Sequence, residues 1–330
     1  MISVAHFQPA DALRWDAFCE QSAQATLLHS RLFLSHHGAR FVDRSLIASD
    51  SRGRWLAVLP AAQDPADPRQ VVSHPGATFG GIVHQGEGRG GAMLDLLTAF
   101  CARYRAEGAS RLLYRAVPSV YQRLPAQDDL YALWRMGARL HRRDLNCAVH
   151  LQSPYPTSEQ RRRGLRRAQK AGLRIVEGNA ELPELWSVLT DNLKRRHGAT
   201  PLHSLAEIQD LAARFPRHIT CVTARRDDRT LGGVVLFLAA TTAHAQYIAS
   251  SEQGHALSAL DAVFDYCLQA SRLQGRHWLA FGTSNEQAGR LLNEGLYRFK
   301  ASFGGGGIVH DHYEIDLEQA TWTSPSTTAG

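Results

Sequence analysis

The chain has 330 residues, 44% of them hydrophobic and 21% charged, which is the balance of an ordinary soluble protein long enough for two cores. No apolar run reaches the length of a membrane span, and Met1–Asp16 lacks the basic-then-apolar order of a signal peptide, so a cytoplasmic protein is expected. The formal charge of +6 is nearly matched by RRRGLRRAQK at 161–170, which holds six basic residues and no acid, so the basicity is local to one helix.

In chain order, the first half predicts a helix near Pro9–Ser22, a short helix at Ser30–His37, and strands at Arg44–Ser49 and Trp55–Ala62. The segment DPADPR follows as a turn, its two prolines barring regular structure. A strand at Val71–Ser73 leads into HPGATFGG, then a helix at Gly91–Glu107 and a strand at Arg111–Arg115. A long strand, Arg139–Leu151, precedes the basic helix 158–172. Helices at 182–196 and 204–213 come next, then strands at Ile219–Arg226, Leu231–Ala240 and Ala243–Ser250. A helix, 256–273, and a strand, 277–282, complete the run.

The halves match. The succession strand, strand, Ser-then-Gly turn, helix, strand recurs at an offset of about 174 residues at its start and about 166 at its end, which suggests two copies of one α/β unit. The expected division is 1–150 and 151–318, with 319–330 as a disordered tail. Two packed copies would share a cleft, a common place for a ligand.

The most informative stretch is AHAQYIASSEQGHAL around His244–Ala256. His244, Gln246, Ile248 and Ser250 share one strand face by the period of two, and Tyr247 and Ala249 the other. The preceding strand LGGVVLFLAA is almost wholly apolar and so reads as central in a sheet. A polar stripe beside it needs partners, which a cleft would supply. The turn Ser251–Gly254 faces the free N–H groups of the helix expected after it, an arrangement that favours an anion.

Other patterns carry less. GEGRGG at 86–91 formally satisfies GxGxxG, but the next strand, RLLYRAV, ends without the acid a dinucleotide site needs, so a loop ahead of a helix is the better reading. HDH at 310–312 sets His310 and His312 on one face with Asp311 opposite; with no third ligand nearby, a solvated edge strand is expected and no metal. The five cysteines are odd in number, widely spaced and without a CxxC pair, and Cys147 reads as a buried inert thiol. There is no GxSxG and no GxxxxGK[ST], so hydrolase and phosphoryl-transfer chemistry lack support. On the basic helix, Arg162, Arg166 and Gln169 form one stripe and Arg163, Arg167 and Lys170 the next, with Leu165, Ala168 and Gly172 packing. The strip reads either as solvated surface or as recognition of phosphate on a nucleotide-linked substrate or RNA.

Three segments in succession, ITCVTARRDDRTLGGVVLFLA, HAQYIASSEQGHALSALDAVFDYCLQ and WLAFGTSNEQAGRLLNEGLYRFKASFGGG, resemble the GNAT-like acyltransferases. The likeness is to the duplicated-domain branch that holds the Fem-type peptidoglycan-bridge aminoacyl transferases and their relatives in cell-envelope polysaccharide loci. SHPGATFGGIV at 73–83, YALWRMGARLHRRDL at 131–145 and RHGATPLHS at 196–204 fit the same branch. The resemblance implies an α/β fold with mixed sheets, arranged as two tandem GNAT-like domains sharing a cleft. In that fold two neighbouring strands splay and the donor's acyl group enters the gap; here the pair would be 243–250 and 277–282. The family's pyrophosphate loop has the pattern R/Q-x-x-G-x-G/A. SEQGHA at 251–256 matches it at Gly254 and Ala256, while Ser251 stands in place of the arginine or glutamine.

The implied function is N-acyltransfer, N-acetyltransfer first, onto an amino-bearing precursor of cell-envelope polysaccharide or peptidoglycan. The donor would be acetyl-CoA or another acyl-CoA, and the acceptor a small amino sugar or a nucleotide-linked one. The alternatives are a tRNA-dependent aminoacyl transferase of Fem type, with aminoacyl-tRNA as donor, and a non-catalytic nucleotide-sugar or RNA-binding protein on the same fold. By resemblance, His244 or Glu286 would relay the amine proton and Tyr247 would donate to the leaving group. Backbone groups near Ile248–Ser250 would hold the oxyanion, and Ile248, Ser250, Ser251, Gly254 and Ala256 would line the donor site. His197, His203, Gln246, Asn285, Arg162 and Arg166 are the expected substrate contacts.

Overall fold

The computed structural model describes residues 2–318; the side chains of Arg196 and His197, and the expected tail 319–330, lie outside that description. The chain divides into two compact units. One holds residues 1–144 and the segment from Val309 onward, and the other holds Leu145–Ile308. Strand Arg139–His150 leads out of the first unit, and strand Gly306–Asp316 returns to it.

The first unit contains a four-stranded antiparallel sheet in the order Ser3–His6, Leu46–Ser49, Trp55–Leu59, Val83–His84. A second set of strands runs Ala62–Asp64, Asp67–Val72, Arg111–Arg115 and the returning strand. Helix Gly91–Ala106 buries Met93, Leu96, Leu97, Phe100 and Tyr104 against Leu112, Tyr114 and Ile315, one apolar stripe at helical spacing over a sheet face. The turn expected over DPADPR is confined to Pro65–Ala66, and strand Asp67–Val72 corrects the expectation that its prolines bar regular structure. Pro68 is tolerated because it falls between a bulge at Gln63/Asp64 and the parallel pairing that starts at Gln70, where no ladder donor is required.

His310, Asp311 and His312 are also corrected: they are 3, 8 and 8% exposed, not a solvated edge. The carboxylate of Asp311 is met by a two-pronged pair from Arg143, at 2.6 and 2.8 Å, which is what lets an acid sit there. Burial holds both histidines neutral, with pKa values of about 4.

In the second unit the strands lie in the order 145–150, Trp278–Thr283, Thr242–Ser250, Arg229–Leu238, Ile219–Arg226, Arg174–Glu177. All neighbours are antiparallel except Thr242–Ser250 and Trp278–Thr283. Helix Ala259–Leu273 covers one face, packing Val263, Phe264 and Cys267 on Val234, Leu236, Ala243 and Ala245. Helix Leu182–His197 contacts the same two strands, Arg229–Leu238 and Thr242–Ser250, with Trp186 against Tyr247 on the other face. Covered on both faces, Arg229–Leu238 is apolar along almost its whole length.

The helix expected over 256–273 begins three residues late, and the turn expected at Ser251–Gly254 runs into a short helix of its own. Glu252–Ala256 makes one short turn, Ser258 takes a left-handed φ of 61°, and the long helix begins at Ala259. No glycine or proline marks this break, because tertiary packing imposes it.

Candidate active site

Strands Thr242–Ser250 and Trp278–Thr283 pair in parallel over only three positions, Thr242–Trp278, Ala243–Leu279 and His244–Ala280, and then part. This is the splayed pair expected from the sequence. On its other edge, Thr242–Ser250 keeps pairing with Arg229–Leu238 but slips by one residue: Tyr247 faces Val235 while Ala245 faces Leu236, leaving Gln246 as a bulge. The bulge has a consequence for side-chain direction. Ala245 and Ile248 pack on the core under helix Ala259–Leu273, so Gln246 and Tyr247 both turn to the opposite face. A strict period of two places them on opposite sides, and the bulge that the family resemblance implies brings them to one.

Tyr247 is fixed on that face from two directions. Its ring lies edge-on to Trp186 at 4.9 Å, and its hydroxyl is hydrogen-bonded to His203 Nδ1. Burial pushes its pKa up to about 12, with a hydrogen bond from Gln246 opposing, so the phenol keeps its proton at neutral pH. His203 and Tyr247, 44 residues apart in sequence, are therefore brought together. His244 sits at the last paired position before the strands part. A Cβ built on Gly282, across the gap, would lie 3.7 Å from its ring.

Lys300, which sequence reasoning missed, is 4% exposed. Its Nζ donates to the carbonyls of Gly282 at 3.0 Å and Thr283 at 2.6 Å, on the strand that splays away. Burial lowers its pKa to about 8, so at pH 7 it remains a cation with one N–H beyond those two bonds. Cys147 is near enough to couple to it but is itself buried and pushed up to about 11, which fits an inert thiol. The signal for Lys300 was a lone lysine inside YRFKASF, where a buried aromatic cluster leaves a charge few exits.

A cavity of about 740 Å³ opens beside the end of the bulged strand. Its walls include Ser250, Gly254, His255 and Ser258, the basic helix Glu159–Lys170 through Arg161, Arg163, Gly164 and Arg167, and also Asp261 and Phe299. Of the expected donor-site residues, Ser250 and Gly254 line it. Ser251 is spent locally, its hydroxyl donating to the Leu231 carbonyl and accepting from the Gly254 N–H, both at 3.0 Å. Gly254 is glycine because a Cβ would stand 2.1 Å from that same carbonyl. Ile248 packs on the core, and Ala256 is exposed outside the lining.

The remaining residues fall elsewhere. Arg162 and Arg166 are not in the lining; both bind Glu159, at 2.8 and 3.1 Å. Glu286 is exposed and accepts from Asn293 Nδ2 at 2.7 Å, while Asn285 bonds the Leu145 N–H and the Gly289 carbonyl, tying the ribbon Asn285–Glu286 and Leu291–Leu292 to strand 145–150. The His197 side chain lies outside the described residues. Among the described residues no group of three or more His, Cys, Asp or Glu could hold a metal ion, and no helix is long and apolar enough to cross a membrane.

Residues 157–300 match the family model described as an acetyltransferase (GNAT) domain. No curated protein matches the chain. Among solved structures, the crystal structure of FemX aligns over 96% of this chain and 98% of its own at 13% identity, with a TM-score of 0.70. The structure of L-PGS from Bacillus licheniformis aligns over 96% and 94% at 15% identity, with a TM-score of 0.61. A tandem GNAT protein from the clavulanic acid biosynthesis pathway aligns over 96% and 99% at 12% identity, with a TM-score of 0.51. Residues 157–300 thus resemble a GNAT acetyltransferase domain, and 96% of the chain follows the fold of FemX.

Proposed function

We propose that the chain transfers an acyl group, an acetyl group first, from an acyl-CoA-type thioester to the amine of a cell-envelope polysaccharide or peptidoglycan precursor in the cytoplasm. The observation that carries this reading is the gap opened where the parallel pairing stops at His244–Ala280, next to a bulge that turns Gln246 and Tyr247 onto one face. An extended acyl chain can take up strand edges left free in such a gap, which presents its carbonyl to fixed donors.

The chemistry follows from the residues around the gap. The acceptor amine, neutral when it attacks, forms the new C–N bond while the carbonyl carbon becomes tetrahedral and its oxygen takes up negative charge. The Lys300 ammonium, bound to carbonyls of the strand opposite, lowers the cost of that charge. Collapse breaks the C–S bond, and the thiolate takes the Tyr247 proton, which His203 can restore. His244 accepts the proton that the amine sheds. Glu286, exposed and bound to Asn293, supports this role less well.

The basic helix favours a second reading, tRNA-dependent aminoacyl transfer, since Arg162, Arg163 and Arg166 are more than half exposed and gathered on one face. Incubating the protein with acetyl-CoA or with charged tRNA, against a panel of amino sugars and nucleotide-linked amino sugars, followed by mass spectrometry, tests both. A mass gain of one acetyl group supports acyl-CoA transfer, and a gain of one aminoacyl group supports the second reading. Tight binding of nucleotide sugar or RNA with no transfer from either donor sinks both in favour of a non-catalytic protein.

A further inference from the structure

The cavity beside the basic helix contains a guanidinium that the protein itself hardly uses. Arg161 is 13% exposed and spends one N–H on Asp261 Oδ1 at 3.1 Å. Its guanidinium carbon lies 5.0 Å from the ring centres of both Phe299 and Phe303, which meet each other edge to face on one side of it. Its Nε is buried without a hydrogen-bond partner. Gly164 makes this possible, because a Cβ there would stand 2.5 Å from the Asp261 carboxyl group and push the two helices apart. A guanidinium held by a carboxylate and two aromatic rings, with its Nε edge unspent, is a preformed fork for two oxygens of one anion. Two more arginines share the wall: Arg163, which bonds Glu159 at 3.1 Å, and Arg167, which has no ion pair among the described residues.

Resting on the acyltransferase reading, we propose that Arg161, with Arg163 and Arg167 at the rim, binds the diphosphate end of the acyl donor. Phosphate recognition lies here on helix Glu159–Lys170, while Ser251 of the loop is occupied by its own backbone contacts. The position also sets the donor's shape. Ser250 touches the cavity and the bulge lies at Gln246, four residues back along the strand, or about 13 Å at ~3.3 Å per residue. Phosphate and reacting carbonyl must therefore be separated by a long arm. An acyl phosphate or acyl adenylate, whose phosphate adjoins its carbonyl, cannot reach both places at once. The volume is that of a small-molecule site, and three arginines against the carboxylates of Glu159 and Asp261 suit a compact anion better than a nucleic-acid backbone.

The test is calorimetric titration of CoA, which binds but cannot transfer, into wild type, Arg161→Lys, and the double variant Arg163→Gln/Arg167→Gln. Arg161→Lys keeps the charge and loses the fork, and a loss of affinity of about 30-fold is expected, with about 10-fold for the double variant. Pantetheine, the arm without phosphates, should bind wild type much more weakly than CoA. CoA affinity within twofold of wild type in Arg161→Lys overturns the proposal. So does a wild-type protein that binds a minihelix RNA ending in CCA and ignores CoA. If Arg161→Lys melts early, the exposed double variant decides in its place: a loss near 10-fold upholds the assignment, and affinity within twofold of wild type overturns it. Acetyl transfer by wild type is measured separately. Transfer with an indifferent Arg161 sinks this assignment alone, and Arg161-dependent CoA binding without transfer to any amine sinks the acyltransferase reading alone.

Discussion

Each unit holds the same crossover, a strand, a helix and a second strand parallel to the first, and each pairs those strands over three positions. In the first unit these are Gln70–Arg111, Val71–Leu112 and Val72–Leu113; in the second they are Thr242–Trp278, Ala243–Leu279 and His244–Ala280. What happens beyond the third pair differs. In the first unit the chain closes its own gap. Ser73 N–H bonds the Leu113 carbonyl, Ser73 Oγ accepts from Arg115 N–H, and the Arg115 guanidinium holds the carbonyls of His74, Pro75 and Ala77. In the second unit no described backbone hydrogen bond joins the strands beyond His244 and Ala280, and a lysine occupies two of the carbonyls instead. One frame therefore serves two ends: a gap filled by loop is scaffold, and a gap left open can admit a ligand.

The comparison breaks most visibly at Lys300. Replacing it by Met keeps most of the volume and removes the charge, and turnover should fall by about 100- to 1,000-fold, the cost of losing one donor to a developing oxyanion. The pH profile separates catalysis from mere folding. Wild-type activity should decline above a midpoint of about 8 as Lys300 loses its proton, and Lys300→Met should lack that limb. Stability moves the other way. Between about 8 and the ordinary lysine value of 10.5 the unfolded chain binds more protons than the folded one, so this group makes the fold more stable as pH rises through that window. Activity and stability rising together there would remove Lys300 from the mechanism.

The closed gap gives the next largest effect, and it should be purely structural. Arg115→Met strands three loop carbonyls and should cost about 2–3 kcal/mol, or a melting temperature lower by roughly 5–10 °C. Turnover per folded molecule should stay within about twofold, since the first unit's gap is scaffold. A tenfold loss of turnover with unchanged melting would show that the first unit takes part in chemistry.

Tyr247→Phe follows. It preserves the edge contact with Trp186 and removes only the hydroxyl bound to His203. A loss of at least ~10-fold in kcat, about 1.4 kcal/mol of barrier, is the expected outcome for a proton donor. Unchanged kinetics would return Tyr247 to sheet packing.

The parts of this arrangement legible in the sequence were those set by local pattern. Strands Arg111–Arg115 and Ile219–Arg226 begin and end where the alternating or apolar runs do, and helix Gly91–Ala106 falls one residue short of its expected end. The splay was legible through resemblance, on the residues 243–250 and 277–282. The bulge at Gln246 follows from the same resemblance but not from the strand's own period of two, because a bulge is a mismatch between two strands and neither strand's sequence records it. The break at Ser258 has the same character: a serine in left-handed backbone, held by packing without a glycine to announce it. Lys300 and Arg161 were missed for one reason. Their types predict solvent, and only tertiary contacts with Phe299, Phe303 and the strand carbonyls bury them.

The smallest effect sharpens the comparison within one helix. Arg161, Gly164 and Ala168 recur at i, i+3 and i+7, so they share the packed stripe, and Arg161 faces the cavity because Gly164 and Ala168 are buried beside it. Arg162 and Arg166 sit a step round the helix, 53 and 65% exposed, and both answer to Glu159. Exposed pairs of this kind contribute about 0–1 kcal/mol, so Arg162→Gln/Arg166→Gln should change melting by no more than a degree or two and leave the donor's KM within about twofold. The same two substitutions made at Arg163 and Arg167 remove the same charge from the same helix yet should raise that KM about tenfold. Equal losses from both double variants would mean that the helix acts through net charge, as a nucleic-acid surface does, and the steepness of KM against salt would then rise with each arginine restored.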